Sequence, residues 1–129
     1  MNNPVKLLLV FSGLFGLIGS VMGAHMAGSG SYALRPIHAH ILVVGWLSLF
    51  SWSIFYKVFE VKYNALSKFH VWSGIIGTSG LVLGMFLTNV ALFNLPEAVT
   101  LTVYIGGGVT LLLSFTAFFV QTILYQPKK

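Results

Sequence analysis

The chain has 129 residues, of which 57% are hydrophobic, 15% aromatic and only 7% charged, with no cysteine and a net charge of +5. About a quarter of a soluble domain is charged, so this composition excludes a soluble enzyme domain. The lack of cysteine excludes a disulfide-built domain, a cysteine zinc site and a thiol catalyst. A basic balance in so apolar a chain indicates membrane topology and not nucleic-acid binding.

Four apolar stretches take up nearly the whole chain, and each has the roughly 20 residues needed to cross the hydrocarbon of a bilayer. They predict an all-α integral membrane protein with a single four-helix domain over residues 1–129. The predicted spans cover about residues 5–27, 37–59, 69–93 and 98–125. Lys6 lies at the start of the first span and three more spans follow, so no cleaved signal peptide is predicted.

Small residues form a stripe on two of the predicted helices. The stripes comprise Gly13, Gly16, Gly19 and Gly23 in the first span and Gly74, Gly77, Gly80 and Gly84 in the third. Residues three and four apart share one helical face, and such faces let membrane helices approach closely. A run from Gly106 to Gly108 in the fourth span either loosens that helix or admits a close neighbour or a porphyrin edge.

The lysines predict the orientation of the spans. Four spans place both termini and the loop between the second and third spans on one side. That side holds Lys6, Lys57, Lys62, Lys68, Lys128 and Lys129, whereas Arg35 is the only strong base on the other. The positive-inside rule therefore predicts cytoplasmic termini in a cytoplasmic (inner) membrane, with the loop from Gly28 to Arg35 facing outward.

The second span opens with two histidines, His38 and His40, which directly follow Arg35 and Pro36. Histidine inside a membrane span is a functional candidate by default. Residues two apart on a helix diverge by about 200°, so these imidazoles are not expected to chelate one ion together. The spacing instead predicts a helix that presents one imidazole to each of two neighbours.

Two further histidines have less specific surroundings. His25 lies near the end of the first span, at helical spacing from Met22 and Met26, and thioether with imidazole suits Cu(I). The methionines are equally well explained as packing residues. His70, beside Trp72, is interpreted as an interfacial anchor on the cytoplasmic side.

Two sequence strings together resemble a known family. LRPIHAHILVVGW from Leu34 to Trp46, followed by a full span and by LSKFHVWSGIIG from Leu66 to Gly77, resembles the catalytic subunit of haem-copper oxidases and nitric oxide reductases. There a His-X-His pair opens the tenth helix, with one ligand for the high-spin and one for the low-spin haem. The Leu-Arg-Pro-X-His string is also similar to the family's second helix, which supplies the other low-spin ligand.

This resemblance implies a homotrimer, because the family's core has twelve helices in three equivalent arcs of four. His38 of one copy and His40 of the next would then hold a haem b iron, with Arg35 near the propionates and His25 as a reserve ligand. The chain has no His-His pair for the family's copper and lacks the tyrosine of its sixth-helix motif, which argues against oxygen or nitric oxide reduction. The only acids are Glu60 and Glu97, which argues against proton pumping.

The sequence thus predicts a membrane b-type cytochrome that works in electron transfer or haem holding, embedded in lipid with an unidentified redox partner. Two other interpretations stay open. One is a copper-binding membrane protein that uses Met22, His25 and Met26. The other is an assembly partner of a respiratory oxidase, without a catalytic role, whose glycine-striped helices form the binding faces.

Overall fold

The structure is a computed structural model that describes residues 3–90 and 94–127. Within those ranges it consists of helices and loops without a strand, which confirms the all-α prediction. The helices are α1 (Pro4–Ser29), α2 (Arg35–Val58), α3 (Ala65–Asn89) and α4 (Glu97–Leu124). Each is long and apolar enough to cross a membrane, as predicted for a multi-pass membrane protein.

The helix ends follow local capping chemistry. The Asn3 side chain accepts hydrogen bonds from the first turn of α1, and Gly30, with φ of 65°, ends that helix in the left-handed region. The Asn64 side chain accepts from the Ser67 amide, so α3 begins earlier than the predicted third span. The last residues of that span, 91–93, and the terminal lysines at 128 and 129 lie outside the described residues.

Adjacent helices run antiparallel. The Ser53 hydroxyl donates to the Val5 carbonyl at one end of the α1–α2 pair, and His38 packs on Gly23 at the other. The α3–α4 pair likewise joins His70 to Ser114. Every described lysine therefore lies at one end of the bundle, at or next to the α2–α3 loop or in the first turn of α1, and Arg35 lies at the opposite end.

The glycine stripe of α1 packs against α2 of the same chain. A Cβ at Gly16 would lie 3.0 Å from Trp46 Cδ1, and one at Gly23 would lie 3.0 Å from His38 Cε1. Gly13 has open space within 4 Å of such a Cβ. The predicted close approach is thus made inside the chain, which leaves most of this stripe covered.

The stripe of α3 packs against α4 in the same way. Gly77 faces the Leu111 backbone and Gly84 the Tyr104 backbone, while Gly107 lies against Gly80. The α4 helix runs unbroken through residues 106–108, so Gly107 admits a close neighbour and does not loosen the helix. The face of α3 suggested for an assembly partner is therefore occupied by α4.

The α2 helix contains a π-helical segment, Ile41–Ser48, that the sequence pattern did not predict. The Ser48 hydroxyl donates to the Val43 carbonyl five residues earlier at 2.9 Å, which suits the wider winding. Gly45 lets Phe15 approach, because a Cβ there would lie 2.5 Å from Phe15 Cγ. A π-helical turn holds more residues than an α-helical turn. The residues after Ser48 therefore lie on a different side of the helix than they would in a continuous α-helix.

Candidate functional site

His38 lies in the first turns of α2 and faces α1. Its Nδ1 is 3.0 Å from the Gly19 carbonyl oxygen, and the half-buried ring packs over Gly23. A backbone carbonyl only accepts hydrogen bonds, so Nδ1 carries the hydrogen and the neutral ring has its lone pair on Nε2. The contact with α1 therefore fixes both the orientation of the ring and its tautomer.

His40 has the same arrangement within its own helix. Its Nδ1 lies 2.8 Å from the Pro36 carbonyl oxygen, one turn earlier, so this ring also carries its hydrogen on Nδ1. The divergence of about 200° from His38 directs it away from the contact with α1. The two predicted ligands thus lie on the same turns, with His38 against α1 and His40 bonded within its own helix.

Arg35 begins α2 on the same end of the bundle. It is exposed, and its guanidinium carbon lies 4.4 Å from the centroid of the Tyr32 ring. A cation over an aromatic face is favoured by about 0.5–1 kcal/mol at exposed sites. The guanidinium is therefore held at the helix N-terminus, where backbone amides also favour an anion.

The predicted copper ligands are only partly brought together. Met22 and His25 line one cavity of about 560 Å³, with Leu17, Ile18, Val21 and Leu34. Met26 is buried and does not line it. Among the residues that the structure describes, no three His, Cys, Asp or Glu side chains converge as a metal site.

The interpretation of His70 as an interfacial anchor is wrong. Its side chain is 0% exposed, enclosed between helices, with Nδ1 2.7 Å from the Tyr56 hydroxyl. The Trp52 ring lies edge-on at 4.5 Å between centroids, and Phe118 stacks at 5.4 Å. His70 faces the interior of the bundle because the same face of α3 also carries Gly74, which packs against Trp52 and Ser114.

A buried polar cluster around His70 was missed in the sequence. It consists of Tyr56 on α2, Ser67 and His70 on α3, and Gln121 on α4. The Tyr56 hydroxyl lies 3.0 Å from Gln121 Oε1, and the Ser67 hydroxyl donates to the same oxygen at 3.0 Å. A glutamine and a tyrosine inside predicted spans were the available signal, since polar residues there are costly without partners.

No family model matches the chain, and neither a curated protein nor a solved structure is similar enough to count as a match.

Proposed function

We propose that this chain is a membrane b-type cytochrome, in which His38 of one copy and His40 of the next hold a haem b iron within a homotrimer. Its work is electron transfer or haem holding. The observation that carries the proposal is the matched anchoring of the two rings. Each donates its Nδ1 hydrogen to a backbone carbonyl, and each keeps the Nε2 lone pair for a ligand.

That arrangement suits metal ligation. An imidazole that ligates a metal nearly always donates its other ring hydrogen to a carbonyl, carboxylate or water, which fixes the tautomer and raises ligand basicity. His38 obtains this partner from α1 and His40 from its own helix. Two neutral imidazoles, His38 of one copy and His40 of the next, would be the residues that hold the iron of a b-type haem.

The divergence of the two rings favours an oligomer. One copy directs His38 and His40 about 200° apart, so a single chain does not offer both ligands to one iron. Large apolar side chains on α1 and α4 are exposed, including Leu17, Val21, Leu112 and Phe119, and such surface is available to lipid or to other copies. Cyclic symmetry would repeat the same pairing at each interface.

The remaining groups at this end have defined tasks in the proposal. Bound haem supplies reversible one-electron chemistry, whereas the chain supplies ligation, orientation and a water-poor wall. Arg35, held on Tyr32 at the bundle end, pairs with propionates through a bidentate guanidinium. Gly19 and Gly23 allow the His38 ring to lie close to α1. His25, near the same end, remains the reserve ligand.

Copper binding is a second candidate, because Met22 and His25 line the same cavity. A thioether and an imidazole there suit Cu(I), and the site would lie at the Arg35 end of the bundle. Replacing Met22 and Met26 together by leucine separates the candidates. Copper retention is lost in that variant if copper is the cargo, whereas haem ligation by His38 and His40 survives.

The deciding experiment is an absorption spectrum of the detergent-purified protein, oxidised and after dithionite, with pyridine haemochrome quantitation and the oligomer mass from the same sample. We expect a sharp reduced α-band and haem in simple ratio to a trimeric mass. His38→Ala and His40→Ala lose the haem, whereas His25→Ala keeps it. A protein that stays colourless when haem is added refutes the proposal, and so does equal haem content in all three variants.

A further inference from the structure

The polar cluster at the lysine-rich end joins three helices in the interior of the bundle. The side chains of Tyr56, Ser67, His70 and Gln121 are each at most 5% exposed. Burying four polar groups between apolar helices is unfavourable unless they are hydrogen-bonded. Their hydrogen bonds run from one helix to the next, and none of the four belongs to the proposed haem site.

The Tyr56 hydroxyl has two competing acceptors for its single hydrogen. It lies 2.7 Å from His70 Nδ1 and 3.0 Å from Gln121 Oε1. When it donates to His70, the ring of His70 carries its hydrogen on Nε2. When it donates to Gln121, Nδ1 of His70 carries the hydrogen and donates to the Tyr56 oxygen. The acceptor that the Tyr56 hydroxyl takes is therefore tied to which ring nitrogen of His70 carries the hydrogen.

Water has access to this cluster from one end. A cavity of about 420 Å³ opens beside the α2–α3 loop and is lined by Ser67 and Gln121, with Lys62, Asn64 and Gln126 among the exposed residues around it. The hydroxyls of Ser67 and Tyr56 each lie 3.0 Å from Gln121 Oε1, so the two are neighbours on one acceptor. Ser67 thus lies between the solvent side of the cavity and the buried phenol.

The inner end of this series of hydrogen-bonding groups is His70 Nε2, which is buried and has no hydrogen-bond partner among the described residues. Phe118 stacks on the ring with 5.4 Å between centroids, and an aromatic face stabilises a cation. Tyr56 from α2 is the titratable group that faces it. The polar groups of α4 that are linked to His70 are uncharged. The Ser114 hydroxyl donates to the His70 carbonyl, and Gln121 is joined to His70 through Tyr56.

We propose that His70 is a proton-binding site inside the membrane span, loaded from the lysine-rich end through Ser67 and Tyr56. A proton from cavity water binds the Ser67 oxygen, the hydrogen of Ser67 passes to the Tyr56 oxygen, and the hydrogen of Tyr56 passes to His70 Nδ1. One proton enters, both hydroxyls end neutral, and His70 becomes an imidazolium. Before loading, Tyr56 donates to His70 Nδ1 and the ring carries its hydrogen on Nε2. The proton leaves by the same steps in reverse, which restores that arrangement.

Trp52 provides the readout, because it touches the His70 ring and an imidazolium quenches the emission of a neighbouring indole. The other tryptophans, Trp46 and Trp72, are exposed and are replaced by phenylalanine to leave Trp52 alone. In the full-length oligomer we expect reversible quenching as the pH of the medium falls. His70→Gln, which cannot take up a proton there, removes that quenching, and Ser51→Ala, which alters an exposed hydroxyl bonded only within α2, leaves it unchanged.

The route is tested by stopped-flow acid jumps in the same background. Tyr56→Phe and Ser67→Ala slow the quenching at least roughly tenfold, because a closed apolar site admits water poorly in place of the lost hydroxyl. Ser51→Ala is the matched control, since the Ser51 hydroxyl is exposed and bonds only within α2. Unchanged rates in Tyr56→Phe and Ser67→Ala overturn the route.

Quenching that survives His70→Gln overturns the site itself. Should that variant fail to assemble, the ¹⁵N signals of the histidine rings in the unsubstituted protein decide the question. We expect a histidine signal that shifts to the imidazolium position with acid and is absent from the spectrum of His70→Phe. An acid-shifted signal that persists in His70→Phe, or a His70 signal that does not respond to acid, refutes the proposal.

Discussion

Gly23→Ala tests the haem proposal without removing a ligand. The added methyl carbon would lie 3.0 Å from His38 Cε1 and 3.7 Å from each ring nitrogen. Carbon atoms pack at about 3.5–4.0 Å, so the ring must move by roughly half an ångström. A retreat of α2 from α1 would instead open the close packing of Leu42 on the neighbouring Gly19.

The size of the effect follows from the hydrogen bond that this movement disturbs. His38 Nδ1 lies 3.0 Å from the Gly19 oxygen, and half an ångström more takes the pair out of the normal range of about 2.7–3.2 Å. Such a bond is worth about 1 kcal/mol, which corresponds to about a fivefold weaker haem affinity. Alanine itself favours the helix by about 0.5–1 kcal/mol over glycine, so a weaker helix is not the cause.

The assay is a haem titration of the apoprotein followed by difference absorption, with the dissociation constant of Gly23→Ala compared with that of the wild type. Gly13→Ala is the matched control, because it lies on the same helix with nothing within 4 Å of the new methyl. Wild-type affinity in Gly23→Ala refutes the reasoning. An equal loss of haem affinity in Gly13→Ala also refutes it, because the loss would then not depend on contact with His38.

Two further predictions concern helix packing and acid. Gly84→Ala places a Cβ against the Tyr104 backbone and should cost about 1–3 kcal/mol of unfolding free energy, whereas Gly106→Ala, with open space, should be neutral or slightly stabilising. Denaturant titration of the purified protein measures both, and equal stability of the two variants contradicts the packing argument. Haem retention should be complete at neutral pH and fall as pH is lowered, because protons compete with iron for Nε2 of His38 and His40. Retention that is independent of pH would contradict axial ligation by these imidazoles.

The number and type of helices were predictable because the bilayer fixes them. A span needs a minimum apolar length, and the chain has room for four such lengths. The glycine stripes likewise predicted close helix contacts, and the structure places His38 over Gly23 and Tyr104 over Gly84. The stripes do not indicate which helix packs against them, since any helix with a matching surface can make the close approach.

The divergence of the two candidate ligands was predictable from the sequence, whereas the hydrogen-bond partners of their rings were not. The spacing of His38 and His40 gives their divergence, because rotation per residue is a local property. The partner of His38 Nδ1 is Gly19, far away in sequence, so only the packing of α1 on α2 supplies it. His70 shows the converse, because a histidine near the end of a span faces headgroups or the bundle interior depending on helix rotation alone.

The π-helical segment Ile41–Ser48 left no signal in composition, since its residues are ordinary apolar ones. A wider turn is maintained by its surroundings, here by Ser48 bonding to the Val43 carbonyl and by Phe15 filling the space at Gly45. Segments of this kind are uncommon and occur frequently near functional sites. Its position directly after His40 agrees with a functional role for this part of α2.

A complementation experiment separates haem held between copies from haem held within one copy. His38→Ala and His40→Ala chains each lack one of the two proposed ligands, so neither variant alone is expected to bind haem. If the ligands come from different copies, a mixture of the two variants does bind it. In a mixed trimer, one interface joins an intact His38 to an intact His40. Random mixing of equal amounts gives such an interface in about three quarters of trimers, or about a quarter of the wild-type haem. Wild-type chains mixed with chains that carry both substitutions are the control, because they show how much haem is lost when chains without ligands dilute intact ones. Absence of haem in the co-expressed mixture, with the trimer intact, would show that the two imidazoles do not meet across an interface.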